Sequence, residues 1–288
     1  MERQLLWSLY QLLRSLQPSG TSRTGFSNVW ILLTYFWSVL CDRPMCWACD
    51  PANWPAEFAG FEPPSPSTLS RRLKNPSTLR LLIQTLLWLQ ACMPGSERHY
   101  IDARPLCIGG SGGDRDARIG WGAGRLAKGY KIHAIVQDTG RLEALAVVPM
   151  NRNDTSMGPV LLQQMTVARG YLVGDTAYDS DQLYDLAALR GLQLVATPRV
   201  ARKGLGHKRH SPHRLQGLAI ARSKMGSRLL RDRFYIDRCF GSWGNVAGGL
   251  WGLPNFVRHL DRVRRWVVAK LIVISLKTRS KHKDLWRR

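Results

Sequence analysis

The chain has 288 residues, 44% of them hydrophobic and 22% charged, which excludes a disordered polymer and allows one sizeable core plus a smaller module. Lys and Arg number 42 against 20 Asp and Glu, for a formal net charge of +22. A balance this basic points to a polyanionic partner, because nucleic acid releases condensed counterions when its phosphates are neutralised.

Residues 2–16 and 28–41 carry apolar side chains at helical spacing, and Gly, Ser and Thr near 18–25 separate them. The first segment reads as an amphipathic helix without the small-residue cleavage site of a signal peptide. The apolar run 29–40 is shorter than the roughly 20 residues a membrane span requires. No membrane partner is expected, and the expected location is the cytoplasm, associated with the nucleoid. Cys41, Cys46 and Cys49 offer only three ligands with no nearby His, so reduced thiols are expected rather than a structural zinc. After a Pro- and Trp-rich stretch, Ser65 stands as a helix cap, and Arg71, Arg72 and Lys74 crowd the short helix behind it. That arrangement suits the reading helix of a helix-turn-helix, and equally a solvated basic face. Residues 1–97 are therefore expected to form a helical module that binds DNA ends, helix-turn-helix-like around 65–74.

The apolar period changes at residue 98. Strands are predicted at 99–102, 130–137, 142–148, 171–174 and 192–196, and helices at 154–168 and 180–190. The turn Asp138-Thr139-Gly140-Arg141 makes the second and third strands a hairpin. The glycine-rich stretch 109–129 lacks the Gly-Lys-Ser/Thr ending of a phosphate-binding loop and reads as a connector. The order predicts an α/β fold: a mixed five-stranded sheet flanked by helices. Residues 199–214 hold Arg199, Arg202, Lys203, Lys208, Arg209 and Arg214 interleaved with His207, His210 and His213. The overall charge favours phosphate contact over a merely solvated loop. A metal reading of these histidines fails for want of a carboxylate in the segment. Residues 215–280 read as helical, with the apolar run 266–276 buried against the sheet domain, which spans 98–280. Residues 281–288 form a basic tail.

Two acids stand at strand ends, Asp102 and Asp175. Carboxylates on neighbouring strands can converge on divalent cations, and two such cations stabilise both the attacking and the leaving oxygen of a phosphodiester. An isolated Asp there is otherwise a turn former. The surrounding residues narrow the choice. Tyr100-Ile101-Asp102 and Val173-Gly174-Asp175-Thr176-Ala177-Tyr178-Asp179-Ser180 resemble the first two acidic motifs of bacterial insertion-sequence transposases of the DDE type. Lys128-Gly129-Tyr130-Lys131-Ile132-His133 resembles that family's second strand, and Thr197-Pro198-Arg199 its segment after the last strand.

The resemblance covers roughly residues 98–276. It implies an RNase H-like core, magnesium or manganese as cofactor (two ions), and cleavage and strand transfer of DNA. Double-stranded DNA, both element ends and target, is the implied partner, with a homodimer in the active complex. Lys128, Lys131 and Arg233 join Arg71, Arg72, Lys74 and the basic residues of 199–209 as expected DNA contacts. In many relatives the third motif reads Tyr, two residues, Arg, three residues, Glu, six residues, Lys. Here Leu230, Arg233, Asp237 and Gly244 stand in those places, and no Glu follows Glu143. Asp237 fits the third ligand by register. Asp232 is the nearby alternative, about 140° away if one helix carries both. Asp102, Asp175 and Asp237 are thus the expected catalytic and metal-binding set. The substitutions leave two readings: an active transposase, and a catalytically inactive, transposase-derived DNA-binding protein.

Overall fold

The computed structural model describes residues 1–17, 25–109, 113–122, 124–166, 168–199, 210–245, 249–250 and 252–281. Two compact units emerge. The first comprises Met1–Cys92, Trp243–Leu250 and Pro254–Arg288, and the second Met93–Ser242 with Trp251–Leu253.

The first unit is helical. Helix α1 (Glu2–Leu16) buries Leu5, Leu6, Leu9, Leu12 and Leu13, one stripe at i, i+3, i+4 spacing. Helix α2 (Asn28–Leu40) is buried along almost its whole length and starts where Ser27 accepts from the Trp30 amide. A single turn, α3 (Met45–Ala48), follows. Helices α4 (Pro66–Arg72) and α5 (Pro76–Ala91) each begin with Pro at the first position and a side-chain cap, Ser65 on the Thr68 amide and Asn75 on the Ser77 amide.

The second unit is built on a mixed sheet. Its strands are β1 (Arg98–Cys107), β2 (Arg118–Gly122), β3 (Arg125–Gln137), β4 (Leu142–Pro149), β5 (Gly170–Gly174) and β6 (Leu192–Ala196). The order is β2-β3-β1-β5-β6, with β4 also on β3. β1, β2, β3 and β4 pair antiparallel, whereas β1–β5 and β5–β6 are parallel. The five expected strands are therefore joined by a sixth, β2, inside the glycine-rich stretch that read as a connector. Glycines hid its alternation. Helices α6 (Asp154–Gln164) and α7 (Asp181–Leu189) cover one face, over a core of Ile101, Ile135, Leu161, Leu172, Tyr178, Leu183 and Leu194. Helix α8 (Pro212–Arg222) packs on β6 and α7. Helix α9 (Lys224–Asp232) contacts β5 and β6. Helix α10 (Phe234–Asn245) sets Tyr235 against Tyr100, ring centroids 5.8 Å apart, on the face opposite the Ile101 core.

Helix α11 (Leu260–Lys281) departs from expectation. It belongs to the first unit, packed on α5, α2 and α1, rather than to the sheet. Ten of its residues are in the buried set, from Val263 through Ile274. A helix apolar all round needs neighbours on several sides, and the helical cluster supplies them. Its buried Lys270 is held by Asp42 at 2.5 Å, and Ser275 accepts from Gln90 at 3.1 Å. No helix among the described residues is long and apolar enough to cross a membrane. All six cysteines are free thiols.

Candidate active site

The parallel pairing of β1 with β5 determines where two acids meet. Arg98, His99 and Tyr100 face Tyr171, Leu172 and Val173, partners 73 positions apart in each case. Asp102 and Asp175 differ by the same 73, so they stand opposite each other just past the last paired residues. Side chains alternate along a strand, and Asp102 shares its face with Tyr100, the face toward α10.

Each carboxylate is oriented by a backbone amide. Asp102 Oδ1 accepts from Ala103 N at 2.7 Å. Asp175 caps the 3-10 turn Thr176–Tyr178, its Oδ1 accepting from Ala177 N at 2.8 Å. The second oxygens converge on Arg233, which sits at the junction of α9 and α10. Its Nη1 lies 3.7 Å from Asp102 Oδ2 and 4.0 Å from Asp175 Oδ2. Two oxygens that close to one nitrogen belong to one small site.

Electrostatics set Asp102 apart. Burial, foremost, with the charges of Asp175 and Asp237, pushes its carboxyl up to about 6, against the opposing pull of the Ala103 amide and Arg233. Asp237, in the first turn of α10, is thus near enough to act on Asp102, while its own side chain is exposed. Asp232 is engaged elsewhere: its Oδ2 accepts from Arg98 at 3.4 Å, at the start of β1. The two Asp residues are not on one helix. Asp232 ends α9 and Asp237 belongs to α10, so the single-helix angle between them does not apply.

Tyr178 was not expected in the site. It is fully buried, its hydroxyl has no hydrogen-bond partner among the described residues, and burial together with the charges of Asp102, Asp154 and Asp175 raises its pKa well above the ordinary value. Its place in the Asp175-Thr176-Ala177-Tyr178 motif was the available signal. Carboxylates brought together, one of them raised by burial, gain from a cation. The guanidinium of Arg233 fills that role here. An all-oxygen donor set fits a hard divalent ion such as magnesium or manganese.

The remaining expected contacts divide by geometry. Arg71 and Lys74 are exposed on and just after α4, but Arg72 donates to Asn28 Oδ1 at 3.1 Å. Lys128 is exposed on β3, while Lys131 is ion-paired to Asp154 at 2.8 Å. Arg199 is exposed, its amide bound by Asp179 Oδ2 at 2.6 Å. Arg202, Lys203, Lys208 and Arg209 lie outside the described residues. His210 does meet a carboxylate, Asp181 at 3.1 Å, which comes from α7 rather than from its own segment.

A comparison with the curated proteins gives no significant match. The family model for the transposase DDE domain matches residues 95–276, more than half of the chain. With its RNase H-like mixed sheet and its paired strand-end acids, the chain belongs to the transposase DDE domain family.

Proposed function

We propose that the protein is a DNA transposase that cuts the ends of an insertion sequence and joins them to target DNA. The observation that carries this reading is the convergence of Asp102 and Asp175 on one point, with Asp237 close enough to raise Asp102 further. Bound magnesium or manganese would supply Lewis-acid stabilisation to the attacking and leaving oxygens of a phosphodiester. Asp102, Asp175 and Asp237 would hold the cation. Arg233 neutralises the two facing carboxylates in its absence and is free to meet a phosphate oxygen once a cation takes over. Water attacks the scissile phosphorus and the 3′-oxygen leaves as a hydroxyl, taking up a proton; that hydroxyl then attacks a target phosphorus, breaking its P–O3′ bond and releasing the target strand's 3′-hydroxyl. The helical unit, through Arg71 and Lys74, grips the element's ends, and two copies act together in the active complex.

The test is cleavage of duplex DNA flanking the gene, with magnesium or manganese and with chelator. Wild-type protein is expected to cut only with metal. Asp102→Asn, Asp175→Asn and Asp237→Asn should each lose at least about a hundredfold, since direct ligands matter more than outer-shell contacts, while keeping DNA binding. Asp232→Asn should cut normally. Full activity of Asp237→Asn removes that residue from the site. The second reading, an inactive DNA-binding derivative, rests on Asp237 and Gly244 standing where Glu and Lys are usual. DNA binding without cleavage under either metal would favour it.

A further inference from the structure

Helices α2 and α11 of the first unit line one cavity together. On α11, Arg262, Arg265 and Trp266 stand at i, i+3 and i+4, which is one face of a helix. On α2, Tyr35 and Ser38 stand three apart. With α3, α4 and the segment before α11 they enclose about 300 Å³. Trp266, Phe256, Val257, Met45 and Pro66 make much of the wall apolar, and Phe256 meets Trp266 edge-on, ring centroids 5.6 Å apart. All of these residues belong to the first unit.

Three polar side chains in that wall have donors to spare. Tyr35 is only 4% exposed, yet its hydroxyl makes no hydrogen bond among the described residues. Arg265 is half-buried and Arg262 exposed, and neither guanidinium has a hydrogen bond or a close ion pair among the described residues. Tyr35 and Arg265 are near enough for each to act on the other. Burial, foremost, raises the Tyr35 pKa, and Arg265 opposes that rise. Burial also leads in lowering the Arg265 pKa, with Arg262 adding to it and Tyr35 and the exposed Asp261 opposing it. The hydroxyl stays protonated and the guanidinium charged, so both remain donors. No Asp or Glu lines the cavity among the described residues.

Buried donors without acceptors cost free energy. An anion entering the cavity supplies the acceptor, and the apolar wall requires that this anion carry an apolar body. At about 300 Å³ the cavity lies at the lower end of the range for small-molecule sites. It has room for a ring system and excludes duplex DNA. We infer that the cavity binds a small aromatic anion, a ring bearing one carboxylate or phosphate group, with the anionic head on Arg265 and Tyr35 and the ring against Trp266 and Phe256. The Arg265 bond is charge-assisted, and Arg262 adds positive potential. The site uses none of the carboxylates of the proposed chemistry and stands independently of the DNA-processing reading.

Calorimetric titration of the full-length protein at one ionic strength should compare four probes: indole-3-acetate, adenosine 5′-monophosphate, the neutral indole-3-acetamide and inorganic phosphate. At least one of the two ring-bearing anions should saturate a single site, about tenfold more tightly than the amide or inorganic phosphate. Arg265→Met should weaken that binding by roughly tenfold to a hundredfold, and Tyr35→Phe by about tenfold. Tyr35→Phe removes one oxygen atom and keeps the test alive should Arg265→Met fold poorly, which thermal melts will reveal. Binding of indole-3-acetate alone assigns a carboxylate head, and binding of the nucleotide alone a phosphate head. Equal binding of the amide or of inorganic phosphate overturns the inference. So does binding of the ring-bearing anions that neither variant weakens, and so does failure of both anions to bind.

Discussion

His133 lies on β3 with its side chain fully buried and neither ring nitrogen hydrogen-bonded among the described residues. Asp154 is 3.8 Å from Nδ1 but is engaged by Lys131 at 2.8 Å. Burial, above all, lowers the imidazole to about 4, with Lys131 adding to the depression and Asp154 opposing it. The neutral ring is the folded form. An unfolded chain binds a proton at about 6.5, so between that value and about 4 the unfolded state holds more protons. Stability from this residue is fully present above the unfolded value and is lost as pH falls through the window, by up to about 3 kcal/mol. Urea melts at pH 7 and pH 5 should show a larger loss for wild type than for His133→Leu, and equal losses would contradict the assignment. At the same scale, the sequence pattern pointed to Asp102 and Asp175 and named Arg233 as a DNA contact, but not its place between the two acids. A guanidinium more than 50 residues away in sequence reaches the pair only because α9 ends above the sheet.

Four residues after Asp175, the chain makes a second, unrelated use of an acid. Asp179 is buried and takes Arg214 through two bonds, Nε to Oδ1 at 2.8 Å and Nη2 to Oδ2 at 2.9 Å. The same carboxylate binds the Arg199 amide, and Asp181 binds the Ser211 amide at 2.8 Å. These bonds tie both ends of the basic stretch 199–214 and the start of α8 to the turn that carries Asp175. Arg214, expected among phosphate-contacting residues, is thus an internal tie. Arg214→Leu leaves Asp179 buried with one backbone partner and should cost roughly 3–5 kcal/mol, the usual effect of breaking a buried pair from one side. Asp179→Leu combined with Arg214→Leu should recover part of that loss. A single variant as stable as wild type in thermal melts would refute the tie. Sequence periodicity cannot separate these two fates of a charged residue, since both look polar in the pattern; burial decides.

The net charge of +22 belongs to the whole chain, yet its side chains are not equally available. Arg71 and Lys74 are exposed, whereas Arg72 holds Asn28 near the start of α2. Affinity for duplex DNA should fall with salt, each phosphate contact contributing about −0.9 to the slope of log affinity against log salt. Arg71→Ala with Lys74→Ala should flatten that slope by roughly two contacts' worth. Arg72→Ala should instead lower the melting temperature and leave the slope nearly intact. An unchanged slope in the double variant would place the grip on DNA elsewhere.

Five strands and two helices in residues 98–196, the hairpin turn at Asp138–Arg141 and the two strand-end acids were legible from local signals: period, caps and turn residues. Each acts over a few residues, so each survives in the sequence. Tertiary structure alone decided the rest. β2 became a strand because Gly120 and Gly122 allow close approach to Met150 and Pro105, a fact of neighbours remote in sequence. Helix α11 joined the helical unit because its apolar residues run all round its axis, and only the helices there could cover them. Asp232 ends α9 and is bound by Arg98, whereas the charge of Asp237 on α10 acts on Asp102. Burial, register and long-range pairing are properties of the folded chain, and these decided which of its charges are exposed and which hold the fold.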